Sequence, residues 1–112
     1  MQAGGRDHGL VDLFLDMLVS ERGAAKNTID AYRRDLLSYI SWLAAKGASP
    51  LSADTETIRA YLAGLAKQGL AASSAARQLS AIRQFHRFFF SEGRRADDPA
   101  AILEGPRRGR PL

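Results

Sequence analysis

Apolar residues recur along this chain at intervals of three and four, and a glycine closes each run. This spacing places apolar side chains on one face of an α-helix, whereas a half-buried strand needs an interval of two. The runs predict four helices, over residues 10–22, 27–46, 54–69 and 73–92. Gly23, Gly47, Gly69 and Gly93 are expected to end them, because glycine adopts the left-handed conformation that closes a helix. The chain is therefore predicted to be all-α.

Short polar residues stand where three of these helices should begin. Asn27 or Thr28 is placed to cap the second helix, Asp54 or Thr55 the third, and Ser73 or a neighbour opens the fourth. Side chains of this kind accept a hydrogen bond from a free backbone N–H group of the first turn.

A proline-containing segment follows the fourth helix. Asp98 before Pro99 is typical of a helix start and predicts a short further helix that ends near residue 103. The stretch after it is basic and rich in glycine and proline, which indicates a linker and suggests a second domain beyond it. The predicted parts are a flexible start (1–9), a compact bundle of four main helices plus a short C-terminal helix (10–104), and the linker (105–112).

The chain carries 16 Lys and Arg against 12 Asp and Glu, a net charge of +4, and no cysteine. A basic balance favours a polyanionic partner. His8 and His86 are isolated and no carboxylate cluster converges on them, so neither a metal site nor an acid–base pair is predicted. No apolar run approaches a membrane span or a signal peptide, and no glycine-rich phosphate loop is present. We therefore expect a soluble cytoplasmic protein without a cofactor, membrane contact or small-molecule substrate.

The fourth predicted helix separates an apolar stripe from a polar one. The apolar side holds Leu79, Ile82, Phe85 and Phe89. The opposite side holds Ser73, Arg77, Ser80, Gln84 and Arg87, with no carboxylate among them. Exposed helix faces usually mix charges, so a face of one sign indicates a partner of the other. Arg, Gln and Ser also contact phosphates and base edges in the DNA major groove, which makes this stripe a candidate DNA-binding face.

The second predicted helix offers another basic surface. Its candidate DNA-binding residues are Lys26, Asn27, Thr28, Arg33 and Arg34. They lie near a helix N-terminus, where free N–H groups and the helix dipole favour an anion. Asp30 and Asp35 are spaced to form ion pairs with Arg34 and neighbouring basic side chains. A simply solvated face is therefore a stronger alternative here than on the fourth helix.

Most aromatic residues lie on or beside the core stripes and are predicted to pack there. The run Phe88-Phe89-Phe90 differs, because three consecutive rings on a helix cannot all face one core. At least one ring needs another partner, either the short last helix or a second protein. A helical protein-interaction module without a DNA role is therefore an alternative. His86 falls within the apolar arc and is predicted to be a core or boundary histidine.

Two blocks of the sequence resemble the N-terminal, core-binding domain of Xer-type tyrosine recombinases. The first consists of Phe14-Leu15, the run from Asn27 to Leu36, and Trp42-Leu43; the second consists of the run from Ser73 to Phe85, then Asp98-Pro99 and the basic linker. Order and helix lengths match over residues 10–106, and the D-type branch of the family is closer than the C-type.

The resemblance implies a SAM-like bundle that clamps double-stranded DNA against a separate catalytic domain, with its second and fourth helices toward the major groove. The family's active site, with its tyrosine nucleophile and His-x-x-Arg motif, lies in that other domain. Neither histidine here is followed by arginine three residues on, so no catalytic residue is expected in this chain. The whole protein would resemble a recombinase that resolves chromosome dimers at cell division, as a tetramer with a paralogous subunit. An integron or phage integrase is the alternative.

Overall fold

In a computed structural model, which describes residues 5–103, the chain folds into four α-helices. They are α1 (Gly5–Arg22), α2 (Lys26–Ala45), α3 (Thr55–Lys67) and α4 (Ala72–Ser91). The all-α prediction is confirmed, and the described part of the chain contains no strand. Nor does it contain a helix both long and apolar enough to cross a membrane. The linker predicted over 105–112 and the first four residues of the predicted flexible start lie outside the described residues.

Glycines end the helices as the sequence predicts. The glycines at positions 23, 47, 69 and 93 have φ angles of 60°, 75°, 81° and 74°. At the end of α3 the amide of Gly69 donates to the Ala66 carbonyl (3.1 Å). The amide of Leu70 donates to the Leu65 carbonyl (3.3 Å). These two bonds close a helix around a left-handed residue, and α4 ends in the same way around Gly93.

Helix starts follow the sequence less closely. At α3 the Asp54 carboxylate accepts hydrogen bonds from the backbone N–H (2.8 Å) and the hydroxyl (2.7 Å) of Thr57, so this predicted cap is confirmed. α2 and α4 begin after Ala25 and Ala71, without a side-chain cap. The residues predicted to cap or open these two helices lie inside their first turns: Asn27, Thr28 and Ser73. The cap predicted for α2 at Asn27 or Thr28 is wrong, because a capping bond contributes much less than burial of a helix's apolar stripe. α4 opens at Ala72, a neighbour of Ser73, as predicted.

α1 begins at Gly5, before the start predicted at Leu10. Asp7 and Leu10 are both buried, so the turn that precedes Leu10 packs onto the bundle. Tertiary packing therefore extends this helix beyond the point at which its sequence pattern becomes recognisable.

The core lies where the apolar stripes of the four helices meet. α2 packs against α1 and α4, and α4 also contacts α1 and α3. The largest fully buried apolar side chains are Phe14, Leu15, Leu36, Tyr39, Ile40, Leu43, Ile58, Ile82, Phe85 and Phe89. The Phe14 and Phe85 rings meet edge to face, with centroids 5.5 Å apart. Each large apolar side chain buried in this way contributes roughly 1.5–3 kcal/mol, so these stripes dominate stability.

His86 lies within this core, as predicted. Its side chain is fully buried, and Nε2 is 2.7 Å from the Tyr39 hydroxyl. Nδ1 has no hydrogen-bond partner among the described residues. Burial penalises the charged imidazolium and the nearby Arg95 guanidinium repels it, so the pKa of His86 falls from 6.5 to about 3. The ring is therefore neutral at physiological pH.

The run Phe88-Phe89-Phe90 divides between core and surface. Phe89 is fully buried, whereas Phe90 is 47% exposed. Phe88 packs against Phe14 of α1, with ring centroids 5.8 Å apart. The partner of Phe88 is thus α1, not the predicted short last helix or second protein, and Phe90 faces outward.

The segment after α4 forms turns, and the prediction of a short helix there is wrong. The amide of Ala101 donates to the Asp98 carbonyl (3.3 Å), and that of Leu103 to the Ala100 carbonyl (3.2 Å). Both bonds span three residues rather than four. Pro99 has no N–H to donate, and so short a stretch cannot offset the cost of starting an α-helix.

Hydrogen bonds nevertheless fix this segment to the bundle. Arg95 Nη1 donates to the Pro50 carbonyl (2.9 Å), and the Thr55 hydroxyl donates to the Pro99 carbonyl (2.7 Å). Leu103 is buried in the core. The chain therefore remains part of the folded domain up to Leu103.

Candidate nucleic-acid interface

The polar stripe predicted on α4 lies partly against α2. Its members at positions 73, 77, 80, 84 and 87 follow one another at intervals of four and three, which places them on one side of the helix. Ser73 and Arg87 are exposed, whereas Arg77, Ser80 and Gln84 are half-buried. The helix contains no Asp or Glu at any position. The fold thus presents the cationic face that the sequence predicts, with its central part tied to α2.

Arg77 is bound by a carboxylate of α2. Asp35 accepts hydrogen bonds from Arg77 Nε (2.8 Å) and Nη2 (3.0 Å). The Asp35 side chain is 6% exposed and that of Arg77 is 40% exposed. The hydrogen bond with Asp35 raises the pKa of Arg77 above its usual value. This ion pair joins α2 to α4 and holds one edge of the guanidinium.

Gln84 is the centre of a second polar contact between helices. Its Nε2 donates to the Tyr32 hydroxyl (3.1 Å) and to Ser80 Oγ (3.0 Å). Its Oε1 accepts a hydrogen bond from Arg22 Nη1 (3.0 Å) at the end of α1. Both amide hydrogens are thereby engaged within the protein. Gln84 could pair with a base only after it gave up these contacts.

The N-terminal half of α2 carries exposed ion pairs. Lys26 Nζ is 2.8 Å from the Asp30 carboxylate, and Arg33 Nη1 is 2.6 Å from the Asp12 carboxylate. The hydrogen bond from Lys26 lowers the pKa of Asp30. The other predicted residues of this region are exposed: Asn27, Thr28 and Arg34. The sequence predicts that Asp30 and Asp35 pair with Arg34 and neighbouring basic side chains. The pair of Asp30 with Lys26 is confirmed, whereas Arg34 is not the partner of either aspartate, since Asp35 binds Arg77 of α4.

Two arginines outside the predicted set belong to the same surface. Arg83 is exposed and lines a groove of about 400 Å³ together with Ser80, Gln84 and Arg87, and Asp98 of the segment after α4 also borders this groove. Arg83 lies four residues before Arg87, a helical spacing from which it could have been found in the sequence. Arg22 is brought to Gln84 from α1 by the tertiary fold, and no sequence signal marks it.

The described tyrosines have structural roles. The Tyr39 hydroxyl contacts His86, and the Tyr61 hydroxyl donates to Gln78 Oε1 (3.3 Å). Burial raises the pKa of both Tyr39 and Tyr61, which makes their hydroxyls poor nucleophiles. Over residues 5–103, no group of three or more His, Asp or Glu side chains is placed to hold a metal ion.

Four helices, joined by polar contacts between α2 and α4 and with Arg83 and Arg87 exposed on α4, define a small helical domain with a cationic face. The family described as phage integrase, N-terminal SAM-like domain matches residues 11–93. The chain therefore belongs to this family.

Relatives named tyrosine recombinase XerD are similar to this chain over nearly all of its length. Identity is 52% over 112 residues with the protein of Bradyrhizobium diazoefficiens, 49% over 105 with that of Agrobacterium fabrum and 46% over 101 with that of Caulobacter vibrioides. These alignments cover 100%, 94% and 90% of this chain but 35%, 32% and 33% of the relatives. The resemblance to Xer-type recombinases is confirmed, and the chain spans about a third of the length of the relatives it matches.

Proposed function

We propose that this chain is the DNA-binding domain of a Xer-type site-specific tyrosine recombinase and that it contacts duplex DNA through α2 and α4. The observation that carries the proposal is the face of α4, which presents Arg77, Arg83 and Arg87 without any carboxylate on the helix. Duplex DNA carries one negative charge per roughly 1.7 Å of its axis, so the exposed Arg83 and Arg87 and the outer edge of Arg77 are complementary to it. The family and the name of the relatives support the same conclusion.

The proposed DNA-binding residues fall into three groups according to what the fold leaves free. Exposed side chains available for phosphates or base edges are Asn27, Thr28, Arg34, Ser73, Arg83 and Arg87. Lys26 and Arg33 form exposed ion pairs with aspartates. Such pairs contribute little to stability, and a DNA phosphate can take the place of the carboxylate. The side chains held between helices are Arg77, Ser80 and Gln84.

The whole protein would be the enzyme, with its catalytic residues outside this domain. Tyr32 is hydrogen-bonded to Gln84, and Tyr39 and Tyr61 are engaged in the core. The tyrosine that forms a tyrosyl-phosphate bond with DNA would therefore belong to the remaining two thirds of a XerD-like protein. It would act in the cytoplasm as a tetramer with a paralogous subunit and resolve chromosome dimers. Relatives named XerD at 46–52% identity favour this function over that of an integron or phage integrase.

The test is fluorescence anisotropy of the chain with a labelled duplex that carries a Xer-type recombination half-site, against a scrambled duplex. The salt concentration is varied between about 50 and 200 mM, since each phosphate contact contributes about 0.9 to the slope of log affinity against log salt. We expect salt-sensitive binding and a flatter slope for Arg83→Ala and Arg87→Ala. Arg59→Ala, an exposed arginine of α3 paired with Glu56, is the charge-matched control and should have less effect.

Two results would overturn this proposal. One is no binding of either duplex at the lowest salt concentration. The other is an equal loss of affinity in all three variants, which would reflect net charge rather than a face. The protein-interaction alternative is weakened by the burial of Phe89 and the packing of Phe88 on α1, which leave Phe90 as the exposed ring of the run.

A further inference from the structure

The Arg77 guanidinium is held by a carboxylate that lies almost out of contact with water. We propose that Asp35 is a positioning residue for DNA binding, which grips the Nε and Nη2 edge of Arg77 and presents the remaining N–H donors to the duplex. This inference rests on the proposed function and names a residue that the cationic face itself does not include.

The geometry leaves part of the guanidinium available. Arginine has five N–H donors in a planar fork. Asp35 takes the Nε donor at 2.8 Å and one Nη2 donor at 3.0 Å, so three donors remain, two of them on Nη1. The Arg77 side chain is 40% exposed, whereas Asp35 is buried. The pair therefore has an inner edge bound to protein and an outer edge accessible to a ligand.

The surroundings of the pair are also ordered. Tyr32, one turn before Asp35 on α2, is hydrogen-bonded to Gln84 and lies 3.4 Å from Ser80 Oγ, one turn after Arg77 on α4. A long side chain loses rotamer freedom when it binds, and a side chain that is already held has less to lose. Asp35 would thus raise affinity through orientation even though its own charge repels DNA.

Because Asp35 repels DNA, a role through charge alone and a role through positioning predict opposite changes in DNA affinity for the same substitution. If Asp35 acts only through its charge, Asp35→Asn raises the net charge from +4 to +5 and should strengthen DNA binding. If Asp35 positions Arg77, the same substitution should weaken binding, because an amide has one acceptor oxygen and cannot hold both Nε and Nη2 as the two carboxylate oxygens do. Loss of one phosphate contact lowers the slope of log affinity against log salt by about 0.9. Over the roughly tenfold change from about 1 M to about 0.1 M salt, that difference in slope amounts to roughly an eightfold change in affinity.

The experiment measures anisotropy with the labelled half-site duplex for the wild type, Asp35→Asn, Arg77→Ala and the double variant, each over a salt series. Asp16→Asn, an exposed aspartate of α1, carries the same charge change as a control. We expect Asp35→Asn to bind up to about eightfold more weakly with a flatter slope. We expect Asp16→Asn to bind at least as tightly as the wild type. In the Arg77→Ala background the substitution of Asp35 should no longer weaken binding. A role in folding alone would lower affinity without flattening the salt slope, because the number of phosphate contacts in the folded protein would be unchanged.

Each other outcome is decisive. Binding by Asp35→Asn that equals or exceeds the wild type overturns the positioning role while the proposed function stands. If Asp35→Asn still weakens binding in the Arg77→Ala background, the positioning role is likewise overturned and the proposed function stands. No binding by the wild type overturns both. If Asp35→Asn does not fold by circular dichroism, Arg77→Lys carries the test at unchanged net charge, since lysine lacks the fork that spans a carboxylate and a phosphate. Wild-type affinity in Arg77→Lys would then refute the proposal.

Discussion

Acidification is expected to destabilise this domain through one core residue, His86. The imidazole is neutral in the folded state down to a pH of about 3, because burial and the nearby Arg95 lower its pKa from 6.5. In the unfolded chain the ring takes up a proton below about pH 6.5. Above pH 6.5 the ring is neutral in both states and contributes no pH dependence. Between pH 6.5 and 3 the unfolded state binds the additional proton, so stability decreases as the pH falls.

The expected magnitude at pH 5 follows from the two pKa values. The unfolded ring is then about 32-fold more often protonated than neutral, whereas the folded ring is almost entirely neutral. The difference lowers the free energy of unfolding by about 2 kcal/mol at pH 5 relative to pH 8. Urea denaturation at both pH values, followed by circular dichroism, measures this change.

The matched variant is His86→Gln, which removes the titrating ring but keeps a polar side chain near the Tyr39 hydroxyl. Its stability should be lower at both pH values, but its decrease between pH 8 and 5 should be about 2 kcal/mol smaller than that of the wild type. Arg95 stays protonated between pH 8 and 5, and Asp97, whose pKa is lowered by its hydrogen bond with Arg95, stays ionised, so the comparison isolates the ring. Equal pH dependence in both proteins would refute the reasoning, as would an NMR titration of folded His86 near pH 6.

Three further predictions concern the fold. Phe85→Ala should lower the free energy of unfolding by about 3–5 kcal/mol in urea denaturation, because the ring is fully buried against the core; a loss below about 1 kcal/mol would contradict this packing. Asp54→Ala should lower the melting temperature on the order of 5 °C through loss of the hydrogen bonds to Thr57, and an unchanged melting temperature would show that the cap is dispensable. Gly93→Ala, at φ 74°, should lower the free energy of unfolding by about 1–2 kcal/mol. Gly64→Ala, within α3 and with nothing within 4 Å of the new Cβ, should raise it by about 0.5–1 kcal/mol. A change of the same sign in both variants would contradict the left-handed helix end.

Helix ends could be predicted from this sequence because their cause is local. A glycine with a left-handed backbone closes a helix through bonds to carbonyls of the preceding turn, whatever surrounds it. The start at Asp54 is local for the same reason. The starts at Ala25 and Ala71 are not, since neither residue has a capping side chain and the packing of α2 and α4 sets where they begin. α1 likewise extends to Gly5 because its first turns pack onto the bundle.

The candidate interface shows the same division between local and distant causes. Helical spacing places Arg77 and Arg87 on one side of α4, and the contact between Lys26 and Asp30 is an ordinary i to i+4 pair. The partner of Arg77 lies 42 residues away on α2, so periodicity within α4 cannot reveal it. The engagement of Gln84 by Tyr32 and Arg22 likewise depends on how three helices meet.

The hydrogen bonds of Arg95 and Thr55 determine how far a following segment can reach. If residues 94–103 were free, these ten residues would add up to about 35 Å of extended tether. Because Arg95 is bound to Pro50, Thr55 to Pro99, and Leu103 is buried, a segment that follows Leu103 instead starts from a point held on the bundle. A shorter tether raises the effective concentration of whatever is joined to it, provided that the tether still spans the gap. Loss of the Arg95 and Thr55 hydrogen bonds together would therefore act on a joined segment as a lengthened tether does, and it would also release Asp98 from the groove that Arg83 and Arg87 line.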